Sequence, residues 1–291
     1  MARQPRDIGA SVRARLLNRA RERGQAFDLL LTRYVAERLL YRLSNTSHRA
    51  RFVLKGAMLM TTWFDDPHRP TRDVDFLGYG DSTPESMLAV FREVCAIEGG
   101  DGVIFDVDAL RVELIREELE YGGLRMRTTA RLAGARITVV IDIGFGDAIE
   151  PGIEEINLPA LLDFPEPRLR AYARETVVAE KFQAMVMLGL ANSRMKGYYD
   201  IWMLSRSHDF DAERLSRAIA ATFARRGTAI PEEVPDALTA VFATDATKQR
   251  QWAAFGRDLT ADLPALETIV TDLADFLMPY AKQARHRSEG G

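Results

Sequence analysis

Apolar residues first recur at helical spacing over residues 8–22, where Val12, Leu16 and Leu17 share a side. Arg13, Arg15, Arg19, Arg21 and Arg23 crowd the rest, and Gly24 ends the pattern. A second helix is predicted over 26–43, with Leu29, Leu30, Tyr34, Val35, Leu39 and Leu40 as its apolar face. After a polar loop comes the apolar run RFVLKGAMLMTTWF, with a glycine near its start. The turn-rich DDPHRPTR leads into DVDFLGYG, a short alternating strand ended by glycines. STPESMLAVFREVCAI reads as a helix capped by Ser82 or Thr83, with Pro84 in its first turn.

From about residue 104 the period changes to two. IFDVDALRVELI, GGLRMRTTARL and ARITVVIDIGF predict a meandering sheet with tight turns. The proline-bearing NLPALLDFPEPRLRAY is expected to be a loop and a boundary near 150–172. Beyond it the chain reads as helical to about 284, with a frayed tail. The expected division is a first lobe over 1–165 and a helical C-terminal lobe over 166–291.

The 291 residues are 47% hydrophobic and 28% charged, a globular balance. No segment approaches the roughly 18 apolar residues of a membrane span. The N-terminus has no apolar stretch of the secretory kind. The lone cysteine, Cys95, excludes an internal disulfide and is expected to be a buried structural thiol. A cytoplasmic protein is the expectation. A net charge of −3 argues against a general nucleic-acid coat, though not against contact through a local patch. Lysines are few: Lys55, Lys181, Lys196, Lys248 and Lys282.

The chemistry concentrates in a few segments. Asp73 and Asp75 lie two apart on a strand, so both carboxylates project from one face while Val74 and Phe76 enter the core. Two such carboxylates repel unless a cation lies between them, and Mg²⁺ sharing its shell with phosphates suits the pair. A bare Asp-x-Asp is more often an ordinary strand edge, so context decides. Lys55, Gly56 and Ala57 lie upstream, where a glycine at a helix start admits a phosphate. Asp142 stands in an apolar strand and needs a partner: the metal site, or an arginine. Lys181 shares a helical face with Val177, Met185 and Leu188, and either snorkels to water or points into a cleft. Lys196 and Asp200 are an i, i+4 pair, a surface ion pair or part of a site, with Arg194 beside them. Asp147, after two glycines, reads as a turn residue.

In this order, these segments resemble the AbiEii/AbiGii family of nucleotidyltransferase toxins, which includes the AbiE and mycobacterial MenT-like toxins. The carrying stretches are SVRARLLNRA (11–20), AERLLYRLS (36–44), RFVLKGAMLMTTW (51–63), RPTRDVDFLGYGD (69–81), VVIDIGFGD (139–147), ETVVAEKFQAMV (175–186) and RMKGYYDIW (194–202). The resemblance covers about residues 10 to 205. It implies a bilobed α/β fold of the DNA-polymerase-β nucleotidyltransferase type with a helical C-terminal lobe. It further implies triphosphate binding at Gly56, metal binding (Mg²⁺ or Mn²⁺) at Asp73 and Asp75, and a site completed by Lys181 and Asp200. The expected substrates are an NTP and an RNA acceptor, foremost a tRNA 3′ end. The expected setting is a toxin–antitoxin pair with a cognate antitoxin, in phage defence. Asp142 is a candidate base or third carboxylate. Two positions depart from the family: Ala57 stands where many members have glycine or serine, and Gly197 where many have aspartate.

Three further expectations follow. The arginine-rich first helix is a candidate RNA-docking surface, or a merely solvated face. Thr71 is a candidate phosphorylation site, because some relatives are similar to toxins silenced there; its other reading is a loop cap. Two other functions stay open: transfer to a protein or small molecule, and a catalytically silent binding module.

Overall fold

A computed structural model describes residues 7–64, 71–115, 122–257, 259 and 263–289. The chain forms two compact units: one runs to Gly146 and takes in Glu155–Ala171, and the other comprises Asp147–Glu154 and the chain from Tyr172 onward.

The first unit opens with helices α1 (Ile8–Glu22) and α2 (Phe27–Ser44). Strand β1 (Phe52–Lys55) runs into a 3-10 turn, Gly56–Leu59, and a single helical turn, α3 (Met60–Trp63). Then come β2 (Asp73–Gly78), α4 (Pro84–Ala96), β3 (Ile104–Phe105), β4 (Arg111–Ile115), β5 (Gly123–Leu132) and β6 (Ala135–Phe145). Thr83 caps α4 by accepting from the Ser86 N–H, and Pro84 occupies its first position, as the sequence predicts. Strands β7 (Ile153–Asn157) and β8 (Arg168–Tyr172) complete an eight-stranded sheet of order β3-β5-β6-β2-β1-β8-β7, with β4 also on β5.

One expectation needs correction. The proline-bearing segment is not all loop: its end, RLRAY, is β8 and lies parallel to β1. The expected meander holds over β4, β5 and β6, which pair antiparallel in chain order. The far edge of β6 also runs parallel to β2 and brings residues 140–145 beside 73–78.

Alternation divides the sheet into two faces. Leu54, Phe76, Ile143 and Leu124 are cross-strand partners in one row, with Val74, Ile141 and Met126 in the next, and all are buried. Each such side chain contributes about 1.5–3 kcal/mol when fully buried. Phe52 lies 5.4 Å from both Phe76 and Phe91, which ties β1 and β2 to α4. Cys95 is buried on α4 as expected, and burial pushes its thiol up to about 12. Helix α2 is buried nearly all round, including Glu37, Arg38 and Arg42. Arg42 holds Asp101 with two bonds of 2.8 and 3.0 Å. Glu37 pairs with Arg38 and accepts the Leu161 N–H at 2.7 Å.

The second unit is helical: α5 (Arg174–Leu188), α6 (Met195–Ser207), α7 (Ala212–Arg225), α8 (Ala240–Thr244), α9 (Ala246–Gly256) and α10 (Leu266–Glu289). Phe182 of α5 meets Phe223 of α7 at 5.4 Å. Asp147 is more than a turn residue. Arg226 bonds both Asp147 (3.3 Å) and Glu180 (3.2 Å), and the Tyr172 hydroxyl donates to the same two carboxylates. No described helix is long and apolar enough to cross a membrane.

Candidate active site

The face of the sheet opposite the core carries the charged residues. Asp73 and Asp75 are half-buried on it, while Val74 and Phe76 point the other way into the core. Cross-strand register continues from Asp75 in both directions. Lys55 of β1 is its antiparallel partner, and Asp142 of β6 its parallel partner. Asp142 is in turn opposite Arg125 of β5, which is opposite Glu113 of β4. One row across five strands therefore reads Lys55, Asp75, Asp142, Arg125, Glu113. The adjoining row reads Asp73, Val140, Arg127, Arg111.

Gly56 follows Lys55 with a left-handed backbone, φ +71°. A Cβ on it would lie 2.0 Å from Oδ2 of Asp75, far inside contact distance. Only glycine lets the start of the 3-10 turn rest against this carboxylate. The expected helix start is thus a 3-10 turn and one helical turn. A helix dipole contributes little over such a length, and close approach of bare backbone is what Gly56 provides. Ala57 follows, half-buried. Gly56→Ala should destabilise the protein by about 1–3 kcal/mol through backbone strain alone. It should also displace the Asp75 carboxylate and so impair whatever Asp75 does. Denaturant unfolding of the variant checks this, and unchanged stability would contradict the packing just described.

The partner that Asp142 requires is Arg125. Nε of Arg125 donates to Oδ1 at 2.8 Å and Nη2 to Oδ2 at 2.6 Å, a bidentate pair. That hydrogen bond pushes the Arg125 guanidinium further above its ordinary range, and the charges of Asp142, Asp73 and Glu113 act in the same direction. Sequence reading passed over Arg125, although it occupies a polar position in the alternating GGLRMRTTARL. Among the described residues no three His, Cys, Asp or Glu side chains are gathered to hold a metal unaided. Asp73 and Asp75 are hard oxygen donors on one face beside bare backbone. They fit an ion that takes its remaining ligands from phosphate oxygens and water.

A second constellation lies in the helical unit. Lys181 of α5 reaches Asp200 of α6, Nζ to Oδ2 2.8 Å. Asp200 is fully buried and the Lys181 side chain is 22% exposed. Lys181 is therefore not snorkelling, and a surface ion pair does not describe Asp200. Lys196 and Arg194 are exposed around the start of α6. The neighbouring aromatics belong to the core: Tyr198 stacks on Phe242 at 5.2 Å, and Tyr199 packs edge-on to Phe255.

The Thr71 hydroxyl donates to the Asp73 carbonyl at 3.3 Å, and Thr71 is half-buried. Arg69 and Pro70, which precede it in the turn-rich segment, lie outside the described residues. The arginines of α1 are partly engaged within the unit: Arg15 with Asp163 at 2.6 Å, Arg19 with the Leu161 carbonyl, and Arg13 over the Phe27 ring.

An open sheet face with paired carboxylates beside a tight glycine belongs to mixed α/β architecture with a helical C-terminal region. The profile of the nucleotidyl transferase AbiEii toxin family, of type IV toxin–antitoxin systems, matches residues 38–277. The chain belongs to that family, and membership implies a cognate antitoxin. Among solved structures it is similar to JHP933 from Helicobacter pylori, with TM-score 0.55 and 13% identity over 91% of this chain and 97% of that one. It is also similar to an H. pylori protein provisionally assigned as a nucleotidyltransferase, with TM-score 0.52 and 13% identity over 90% and 98%. At such identity the likeness concerns the fold. No curated protein matches the chain.

Proposed function

We propose that the protein is a metal-dependent nucleotidyltransferase of the DNA-polymerase-β fold type, which adds nucleotides from an NTP to an RNA 3′ end, foremost that of a tRNA. The observation that carries this reading is Gly56 resting against the Asp75 carboxylate, with Asp73 on the same face. Bare backbone beside two carboxylates suits a triphosphate bound with a divalent cation. Asp73 and Asp75 would hold Mg²⁺ or Mn²⁺. Bound there, the cation offsets charge on the α-phosphate and the departing pyrophosphate.

The residues of the chain have separable roles in this reading. Lys55, Gly56 and Ala57 line the phosphate side. Asp142 serves as the third carboxylate of this face, after Asp73 and Asp75, and fixes Arg125. Both its oxygens accept N–H bonds from Arg125, which favours a positioning role over that of the base. Lys181 supplies fixed positive charge for the triphosphate, and Asp200 orients it. Lys196 adds exposed charge at the start of α6. The acceptor 3′ hydroxyl gives up its proton to solvent, its oxygen bonds the α-phosphorus, and the bond from that phosphorus to the bridging oxygen breaks, so that pyrophosphate leaves. Phosphorylation of Thr71 would add about −1.5 to −2 charge two residues from Asp73 and so oppose triphosphate binding.

The test is incubation of the purified chain with each α-labelled NTP, Mg²⁺ and total RNA. Label on RNA 3′ ends is the expected result. Label on protein would reassign the acceptor, and no label with any NTP would return the chain to a binding role.

A further inference from the structure

The open face of the sheet continues beyond the carboxylates into a field of arginines. On β5 the outward positions are Arg125, Arg127, Thr129 and Arg131; on β6 they are Arg136, Thr138, Val140 and Asp142. Arg125 lies between Asp142 and Glu113 and is neutralised by them. The next arginines differ. Arg127 is directly opposite Arg111 of β4, and Arg131 is directly opposite Arg136.

Like charges placed opposite each other destabilise a sheet. Two such pairs on one face need a compensating anion. The nearby acids compensate loosely: Glu113 is 4.0 Å from Arg127, and Asp106 is 3.8 Å from Arg131. Arg111 turns one amino group to the Asp108 and Leu110 carbonyls. Arg127 and Arg131 stay 49% and 62% exposed, and Arg111 and Arg136 are exposed as well.

We propose that the opposed pairs Arg111/Arg127 and Arg131/Arg136 receive the phosphodiester backbone of the acceptor RNA and lead its 3′ end to Asp73 and Asp75. The proposal rests on the nucleotidyl-transfer reading above. Arg127 and Asp73 share a cross-strand row two strands apart, roughly 10 Å. The Arg131/Arg136 pair lies four residues further along β5, roughly 14 Å. The field is thus a track several phosphates long that ends at the carboxylates. Guanidinium groups suit phosphate oxygens in both shape and charge. The outward positions of β5 and β6 carry no aromatic ring on which a base could stack, so contact is with backbone and is independent of sequence. An acidic chain can bind RNA in this way, because the positive charge is local.

The experiment measures binding of bulk tRNA to the full chain across a salt series, for wild type and for Arg127→Ser/Arg131→Ser/Arg136→Ser. A control variant, Arg206→Ser/Arg250→Ser, removes exposed arginines from the helical unit. Binding of a non-cleavable ATP analogue with Mg²⁺ is measured in parallel. The triple variant is expected to lose at least about tenfold in tRNA affinity, and its log-log salt slope should fall by roughly 2. Its melting temperature should not fall, because repulsion has been removed. Analogue binding should stay within twofold, and the control should match wild type. Should the triple variant misfold, Arg136→Ser alone should lower the slope by roughly 0.7. Unchanged affinity and slope in the triple variant overturn the proposal. Failure of wild type to bind tRNA while it binds the analogue also overturns it, and leaves nucleotidyl transfer to another acceptor standing. If wild-type tRNA binding depends on the three arginines but no nucleotide is bound, the surface stands and the catalytic reading falls.

Discussion

Asp75→Asn should reduce nucleotide transfer by about a thousandfold or more, because a bound metal contributes several kcal/mol to the transition state. The fold should survive. Asp75 is half-buried at the surface of the sheet, with the Asp142 carboxylate opposite it and Asp73 two residues away. Lys55 is its partner on the other side. Removing its charge gives up attraction to Lys55 as well as repulsion from the carboxylates, so the unfolding free energy should change by no more than about 1 kcal/mol. Asp142→Asn is the informative contrast. It breaks a bidentate pair with Arg125, so it should cost more stability and less catalysis than Asp75→Asn. Transfer assays and denaturant unfolding on both variants read the two effects separately. Near-wild-type transfer by Asp75→Asn would mean that the catalytic centre lies elsewhere.

Period and punctuation made much of the first unit legible in the sequence. Alternation over 73–78 put both aspartates on one face, and Thr83 with Pro84 marked the start of α4. What stayed hidden was set by pairing between distant segments. RLRAY carries three prolines' worth of loop signal before it, yet it is strand β8 because it completes the sheet beside β1. Glu37, Arg38 and Arg42 lie off the apolar face predicted for α2. They are buried because Asp101 and the segment around Leu161 and Pro165 fold over them. The same holds for the candidate site. Gly56 was visible as a glycine, but its contact with Asp75 depends on the register of β1 and β2, which no local pattern encodes. Asp142 was visible as an oddity in an apolar run, whereas its partner, 17 residues earlier, required the β5–β6 pairing.

The Lys181–Asp200 pair yields the second large effect, and it separates stability from catalysis. Asp200 is fully buried and Lys181 mostly so, and they bond at 2.8 Å. Desolvating two charges is costly, and their attraction offsets that cost only while both are present. Lys181→Met removes the cation and leaves a buried carboxylate without it, which should destabilise the protein by about 3 kcal/mol. Transfer should also fall, by about a hundredfold or more if the ammonium stabilises charge on the triphosphate. Loss of activity in that variant alone would be ambiguous, since a weakened fold lowers it too. The double variant Lys181→Met/Asp200→Leu resolves this. Replacing both members of a buried pair with apolar side chains is often neutral or stabilising. The double variant should therefore regain most of the lost stability and none of the lost transfer. Urea unfolding and a labelled-nucleotide assay on wild type, single and double variants are sufficient. Recovery of transfer along with stability would make the pair a structural tie between α5 and α6, with no part in chemistry. A stable double variant that remains inactive would assign Lys181 to the triphosphate and make Asp200 the residue that positions it.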